Sequence, residues 1–368
     1  MAAVTFGSAR TQGLRASNRS RWLLSSVAAL LVLGRAHAAT PAPVEVKVVV
    51  VTMFEVGADE GDTAGEFQLW KERQKLTTRF AFAHFHDLFF NPKTGVLGVL
   101  TGEGTANSAT AVMELGMDPR FDLTHAYWIV AGIAGVDPAD ASVGSAAWAE
   151  YVVDGDLAHE IDAREIPPDW RTGRFPLDSK RPYDPGAHPA PGQMFRLNPG
   201  LVDWAYQLTR HIELPDSPSL EKARALYTGY PNALKPPFVL KGDNLAAMTF
   251  WHGKLLNDWA NEWVSYWTQG KGNFVTSAME DTGTLVALNY LAGTKKVDKD
   301  RALVLRTASN YTMQPPGLTA AQNMARENEG YSGMEASVDS AYRVGSAVVD
   351  EILKNWKKYR DHLPAPAP

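Results

Sequence analysis

Residues 44–52 (VEVKVVVVT) decide the fold class, because they form an almost continuous run of β-branched side chains. Such a run is typical of a strand that is buried on both faces. Similar apolar runs follow further along the chain, at residues 95–101 (GVLGVLT), 126–131 (AYWIVA) and 301–307 (RALVLRT). Helical patterns lie between these runs, for example at residues 106–115 and 282–291, and this alternation predicts an α/β protein.

Two glycine-rich turns follow predicted strands, at residues 102–104 (GEG) and 132–135 (GIAG). In open α/β sheets, ligands bind beyond the carboxyl ends of the strands. The turns therefore predict the position of a binding site, with Gly132 among the residues that contact the ligand.

The alternation of predicted strands and helices indicates one domain over residues 40–362. Residues 167–200 interrupt it with eight Pro and four Gly, which predicts a long irregular excursion. Residues 251–269 predict a helix whose Trp259, Trp263 and Trp267 form one stripe, typical of a core or a subunit interface. The last residues, 363–368 (LPAPAP), predict a disordered tail.

The first 39 residues resemble a secretory signal peptide. Five arginines without an acidic residue accompany an apolar run at residues 22–34, and Ala36-His37-Ala38 fits a cleavage site. At 13 residues, the run is shorter than the roughly 20 residues that span a bilayer as a helix. We therefore expect a chain that is periplasmic or secreted, without stable membrane insertion; an uncleaved membrane anchor is the alternative.

The net charge argues against a nucleic-acid-binding protein, and the cysteine content excludes a disulfide-stabilised one. Cleavage of the signal would change the formal net charge from −5 to −10. A chain with this charge has no excess of basic residues with which to bind the phosphates of nucleic acid. Cysteine is absent, so no disulfide supports the fold.

Most common catalytic motifs are missing from the sequence: it has no GxSxG elbow, no GxxxxGK[ST] loop and no HExxH helix. His84-Phe85-His86-Asp87 could hold a metal, but no second cluster of ligands accompanies it, and a polar strand edge is the simpler interpretation. We expect neither a metal nor an organic cofactor.

Two segments near the C-terminus carry polar residues where predicted strands end. Met279-Glu280 precedes a helix, and a carboxylate there can accept hydrogen bonds from a cis-diol or simply favour the helix dipole. Ser309-Asn310 offers an amide that can read N7 and O6 of a purine, although an Asn is also common in turns.

Taken together, these segments resemble the nucleoside phosphorylase and nucleosidase superfamily. The resemblance rests, in order, on the first strand ending TMFE (52–55), TGEGTAN (101–107), IVAGIAG (129–135) followed by VGS (143–145), and the Met-Glu and Ser-Asn pairs. FWHGK (250–254), the Trp-rich helix and MED (279–281) look more closely like the group named purine nucleoside permeases. The resemblance covers residues 44–355.

This resemblance implies a three-layer α/β/α fold with a central, mixed and partly closed sheet, and a homo-oligomer. It also implies that Met279 packs on the sugar, that Glu280 holds the ribose hydroxyls, and that Asn310, beside Ser309, contacts the base. An Asn at that position is typical of relatives that act on 6-oxopurines. Phe250, Trp251 and His252 would help to close the pocket.

Departures from the family pattern indicate which reaction to expect. Val130 and Ile133 stand where phosphorolytic relatives carry an Arg and a Ser, so a phosphate dianion would lack its partners. Superfamily nucleosidases activate water with a Glu after the first strand, and Glu55 is the candidate here; an ordinary loop Glu is the alternative. We therefore expect hydrolysis of the N-glycosidic bond of purine nucleosides. The alternatives are a non-catalytic binding component of nucleoside uptake, phosphorolysis, and a relative with a decayed site.

Overall fold

The computed structural model describes residues 42–82, 85–327, 330 and 333–366. The predicted signal peptide (1–39) lies outside these residues, and so does His84.

Strands and helices alternate along the described part of the chain. The strands are β1 (Val44–Glu45), β2 (Val48–Thr52), β3 (Thr78–Phe80), β4 (Leu88–Asn91), β5 (Val96–Leu100), β6 (Phe121–Asp122), β7 (Tyr127–Val136), β8 (Ala146–Ala149), β9 (Tyr151–Asp154), β10 (His159–Glu160), β11 (Arg174–Phe175), β12 (Met194–Arg196), β13 (Val239–Lys241), β14 (Asp243–Ala246), β15 (Phe274–Ala278) and β16 (Ala302–Tyr311). The helices are α1 (Gln68–Arg73), α2 (Thr105–Met117), α3 (Pro199–Thr209), α4 (Pro218–Ala225), α5 (Lys254–Trp267), α6 (Asp281–Gly293), α7 (Ala320–Glu327), α8 (Met334–Lys354) and α9 (Trp356–Tyr359), with a 3₁₀ turn at Lys299–Arg301.

The central sheet is mixed, as the family resemblance implies. The four apolar runs form β2, β5, β7 and β16, and every residue of β2 and β16 is buried. Strand β2 lies parallel to both β5 and β7, whereas β4 and β15 run antiparallel to their neighbours β5 and β7. The β-branched side chains of β2 therefore face apolar neighbours on both sides of the sheet.

The sheet closes on itself around β7. Strand β7 pairs with β16, and β16 pairs with β8, which continues into β9 after a single residue. Strand β9 pairs with β14, β14 with β15, and β15 again with β7. This ring confirms the partly closed sheet.

Helices cover the sheet in separate groups. Helix α8 packs on β7 and β16, α5 packs on β14 and β15, and α2 packs along α6. The Trp stripe of α5 is buried in an apolar cluster with Val153 and Phe274, so within this chain it belongs to the core.

The Pro-rich excursion contains little regular structure. Between residues 167 and 198 the chain forms only β11, which pairs with β10, and β12, which pairs with β9 at the sheet edge. Near the other end of the chain, Leu363 packs half-buried against the core.

The polar groups of His86 and Asp87 contact other residues of this chain. The ring nitrogens of His86 lie 2.8 Å from Asp59 Oδ1 and 2.9 Å from the Asp87 carbonyl, and Asp87 pairs with Arg79. Among the described residues, no group of three or more His, Asp or Glu side chains could hold a metal ion.

No helix within the described residues combines the length and the apolar character that crossing a membrane requires.

Candidate functional site

A cavity of about 210 Å³ opens at the carboxyl ends of β2, β7, β15 and β16. This is the position that the glycine-rich segments predict, but residues 132–135 are part of β7 and do not form the predicted turn. The cavity is lined by Met53, Phe54, Glu66, Glu103, Ile133, Ala134, Gly135, Phe250, Ser277, Ala278, Met279, Glu280, Arg306, Ser309, Asn310 and Met334. Two sets of polar groups line it, each with partners outside the lining: an acidic end (Glu66, Glu280 and Arg306, with the partner Asp281) and an amide end (Ser309 and Asn310, with the partners Glu327 and Asn323).

Arg306 organises the acidic end. Its Nη2 lies 3.0 Å from Glu280 Oε2 and 2.9 Å from Asp281 Oδ2, and its Nη1 donates to the Ile133 carbonyl. The Arg306 side chain is 2 % exposed. Because a buried charge is tolerated only when it is paired, these contacts fix Arg306 inside the strand.

Glu280 joins the N-termini of two helices. It is the N-cap of α6, and Gly104, the N-cap of α2, donates its backbone N–H to Glu280 Oε1 at 3.2 Å. Ser108 Oγ donates to the Glu280 carbonyl at 2.7 Å. Burial raises the pKa of the Glu280 carboxyl, and Arg306 opposes this rise. Glu280 is therefore a helix-terminal acid that also lines the cavity, and its contact with ribose stays a prediction.

Glu66 is the acid that the sequence analysis missed. Its carboxylate accepts the backbone N–H of Met53 at 2.8 Å and of Ile133 at 2.7 Å, and it lines the cavity. Burial raises its pKa to about 8; Arg306 opposes the rise and Glu280 adds to it. Glu66 lies well after β2, and only the path of the intervening loop returns it to the end of the strand.

Glu55 does not line this cavity. Its carboxylate accepts the backbone N–H groups of Gly65, Phe67 and Gln68, at the start of α1. It also accepts the N–H of Val56 at 2.8 Å. Glu55 therefore holds the loop that carries Glu66 and caps α1, because these N–H groups have no partner inside the helix.

Gly132 lies beneath the acidic end and does not itself line the cavity. A Cβ atom at this position would overlap Met53 Cε, Glu66 Oε1 and Arg306 Nη1. The absence of a side chain lets these three groups converge over the strand. Gly132 therefore shapes the site from below.

Met279 and Phe250 lie at the cavity itself, and Trp251 lies beside it. Met279 is half-buried, and Phe250 is 44 % exposed. Trp251 lines a narrow extension of about 20 Å³, which shares Phe250, Met279 and Asn310 with the main cavity. The structure therefore brings all three predicted residues to one place.

Hydrogen bonds connect the amide end into a chain. Ser309 Oγ lies 2.9 Å from Asn310 Oδ1, and Asn310 Nδ2 donates to Glu327 Oε2 at 3.3 Å. Asn323 Nδ2 donates to Glu327 Oε1 at 2.8 Å and lies 3.1 Å from His252 Nε2. His252 is not among the residues that line the cavity, and burial lowers its pKa.

Glu327 is a second acid that the sequence analysis missed. Burial raises its pKa to about 7, and the amides of Asn323 and Asn310 oppose this rise. It lies on α7, beyond the end of β16, so no strand marks its position in the sequence.

The cavity wall contains little that could hold a dianion. Val130 is fully buried in β7, and Ile133 presents an apolar side chain to the cavity. Among the described lining residues, Arg306 is the one cation, and it is already paired with two carboxylates. Lys241, another candidate cation, pairs with Asp203 outside the cavity.

Known proteins with a similar sequence share one description. The family model described as purine nucleoside permease (NUP) matches residues 45–364. A purine nucleoside permease of Candida albicans is 28% identical over 318 residues, which cover 85% of this chain and 76% of the relative. A "probable purine nucleoside permease" of Schizosaccharomyces pombe is 28% identical over 275 residues, covering 72% of this chain and 78% of that protein.

Solved structures with a similar fold include nucleosidases. A 5′-methylthioadenosine/S-adenosyl homocysteine nucleosidase of Helicobacter pylori has a TM-score of 0.50 and 14% sequence identity, covering 84% of this chain and 99% of that one. At this identity the likeness concerns the fold, which is nucleoside phosphorylase-like. Because the family model spans nearly all of the described chain, the protein belongs to the purine nucleoside permease family.

Proposed function

We propose that this protein binds purine nucleosides and hydrolyses their N-glycosidic bond. The observation that carries the proposal is the pairing of a buried, hydrogen-bonded acid, Glu66, with the Arg306–Glu280 ion pair at one end of a cavity whose other end presents an amide. A sugar would lie at the acidic end and a purine at the amide end.

Glu280 and Met279 would hold the ribose. Gly104, Met279 and Arg306 occupy three hydrogen-bonding positions of the Glu280 carboxylate. A carboxylate offers about four such positions, so one remains on Oε1 for a ribose hydroxyl. Met279 supplies apolar contact beside it.

Glu66 would activate the water. A general base works best when its pKa is close to the operating pH, and the pKa of Glu66 is about 8. The backbone N–H groups of Met53 and Ile133 fix the direction of its carboxylate. The acidic groups around it would also favour the positive charge that develops on the ribosyl ring in the transition state.

The charges of the cavity favour water over phosphate as the nucleophile. A phosphate dianion beside Glu280 would be repelled, and Arg306 would have to leave a carboxylate to bind it. We therefore expect free ribose as the product, rather than ribose 1-phosphate.

Product analysis tests the proposal. The purified protein would be incubated with inosine, guanosine and adenosine, with and without phosphate, and the base and sugar products identified. Release of base and free ribose without phosphate supports hydrolysis. A requirement for phosphate with accumulation of ribose 1-phosphate contradicts it. Saturable binding that returns intact nucleoside would show a binding protein without catalysis.

A further inference from the structure

The amide end is a chain of hydrogen bonds whose direction is reversible. It runs from the Ala134 carbonyl through Ser309 and Asn310 to Glu327. Hydroxyl groups and amides can each act as donor or acceptor, and an amide reverses its role when it turns over. The carboxyl of Glu327 donates only when it carries a proton.

With Glu327 ionised, each side-chain hydrogen bond of the chain is donated in the direction of its carboxylate. Asn310 Nδ2 donates one hydrogen to Glu327 Oε2 and the other to the Tyr311 carbonyl, each at 3.3 Å. Ser309 Oγ then donates to Asn310 Oδ1 at 2.9 Å. Both amide hydrogens are committed to the protein, so the remaining capacity of Asn310 is one lone pair on Oδ1.

With Glu327 protonated, the two bonds between side chains, Glu327–Asn310 and Asn310–Ser309, can both reverse. The carboxyl O–H donates to Asn310 Oδ1 after the amide turns over, and Nδ2 donates to Ser309 Oγ. Ser309 in turn donates to the Ala134 carbonyl, which lies 3.2 Å from its oxygen. The amide gives up its long bond to Tyr311, and its second hydrogen becomes available to a ligand.

We propose that the proton on Glu327 sets which group Asn310 presents to the purine: a donor when Glu327 is protonated and an acceptor when it is ionised. The protonated form would favour a purine with a carbonyl at C6, and the ionised form a purine with an amino group there. This inference rests on the proposed function, since it requires the base to lie at the amide end.

Of the described groups around Glu327, it is the one that changes charge near neutral pH. His252 Nδ1 lies 3.9 Å from Glu327 Oε2, and burial keeps the pKa of His252 below its usual value. Tyr227 also faces Glu327, and burial raises the pKa of Tyr227 far above neutrality. Arg326, on the same helix, is exposed. The pKa of Glu327, about 7, places its titration between these groups.

Calorimetric binding of hypoxanthine and adenine between pH 6 and pH 8 tests this inference. In the wild type, the ratio of hypoxanthine to adenine affinity should fall roughly tenfold or more as the pH rises. At high pH the C6 carbonyl of hypoxanthine would face the Asn310 oxygen, so neither oxygen would have a donor. Glu327→Gln should hold the ratio at its low-pH value throughout. Asn323 keeps the Gln oxygen in place, so the Gln amide nitrogen faces Asn310 as the protonated carboxyl does. Arg326→Gln, on the exposed side of α7, should follow the wild type.

Two results would overturn the inference: a wild-type ratio that does not change with pH, or a pH-dependent ratio that persists in Glu327→Gln. A ligand-free measurement separates this failure from that of the proposed function. With selectively ¹⁵N-labelled Asn, the side-chain amide of Asn310 should shift with a midpoint near pH 7 in the wild type and not in Glu327→Gln. If neither base binds, the proposed function fails, and the amide signal alone decides whether Glu327 directs the chain.

Discussion

The acidic end and the amide end of the cavity satisfy their buried polar groups in opposite ways. At the acidic end, a charged guanidinium and backbone N–H groups hold each carboxylate, so the donors and acceptors are fixed. At the amide end, neutral side chains that can reverse their roles surround one acid. Under the proposed function, the fixed charges would hold the reacting sugar, and the reversible hydrogen bonds would recognise the base.

The largest expected effect falls on catalysis at the acidic end. Glu66→Gln keeps the side-chain shape but removes the base, so kcat for ribose release should fall about 10²–10⁴-fold. KM should change little, because Glu280 and Asn310 remain in place. Steady-state kinetics with a coupled ribose assay would measure both quantities.

Glu55→Gln is the matched control for Glu66→Gln. Glu55 holds the same loop from outside the cavity, so this variant should retain kcat and lose about 1 kcal/mol of unfolding free energy through the weakened cap. A loss of kcat in Glu55→Gln without a loss in Glu66→Gln would reverse the assignment of the base.

Removing the Arg306 cation should lower the stability of the protein more than removing a neutral side chain from the amide end. Arg306→Met leaves Glu280 and Asp281 buried without their partner and should lower the unfolding free energy by about 3–5 kcal/mol at neutral pH. Asn323→Ala, at the amide end, should cost only about 1–3 kcal/mol. Urea denaturation measures both, and equal losses would remove the distinction between the ends.

The pKa of Glu66 predicts how stability depends on pH. The unfolded carboxyl ionises near 4.5, but the folded one ionises near 8, so the folded state holds an extra proton between these values. The contribution of Glu66 to stability is therefore full below pH 4.5 and falls by about 1.4 kcal/mol per pH unit up to pH 8. Denaturation curves of Glu66→Gln should lack this decline, and an identical decline in the variant would exclude Glu66 as its source.

A smaller effect should distinguish sugar recognition from base recognition. Glu280→Gln weakens charge-assisted hydrogen bonds to ribose, so nucleoside affinity should fall about tenfold. Affinity for the free base should stay within about twofold, because the amide end is unchanged. Calorimetry on both ligands measures the difference, and equal losses would show that Glu280 does not contact the sugar.

The sequence predicted the residues that local structure alone positions. Glu280 and Asn310 lie at the ends of apolar runs, and a strand end in an α/β sheet is a predictable place. Glu66 and Glu327 were missed because a loop and a separate helix deliver them, and neither path follows from periodicity. The resemblance to superfamily nucleosidases points to Glu55, but the backbone N–H groups at the start of α1 take up its carboxylate.

The position of Glu280 between two helix N-termini has a dynamic consequence. One side chain connects the first turns of α2 and α6, which also pack along each other. A ligand that tightens this carboxylate would restrain both turns at once. Slower amide hydrogen exchange at the starts of both helices, with α8 unchanged, would therefore signal an occupied site even when nothing is turned over.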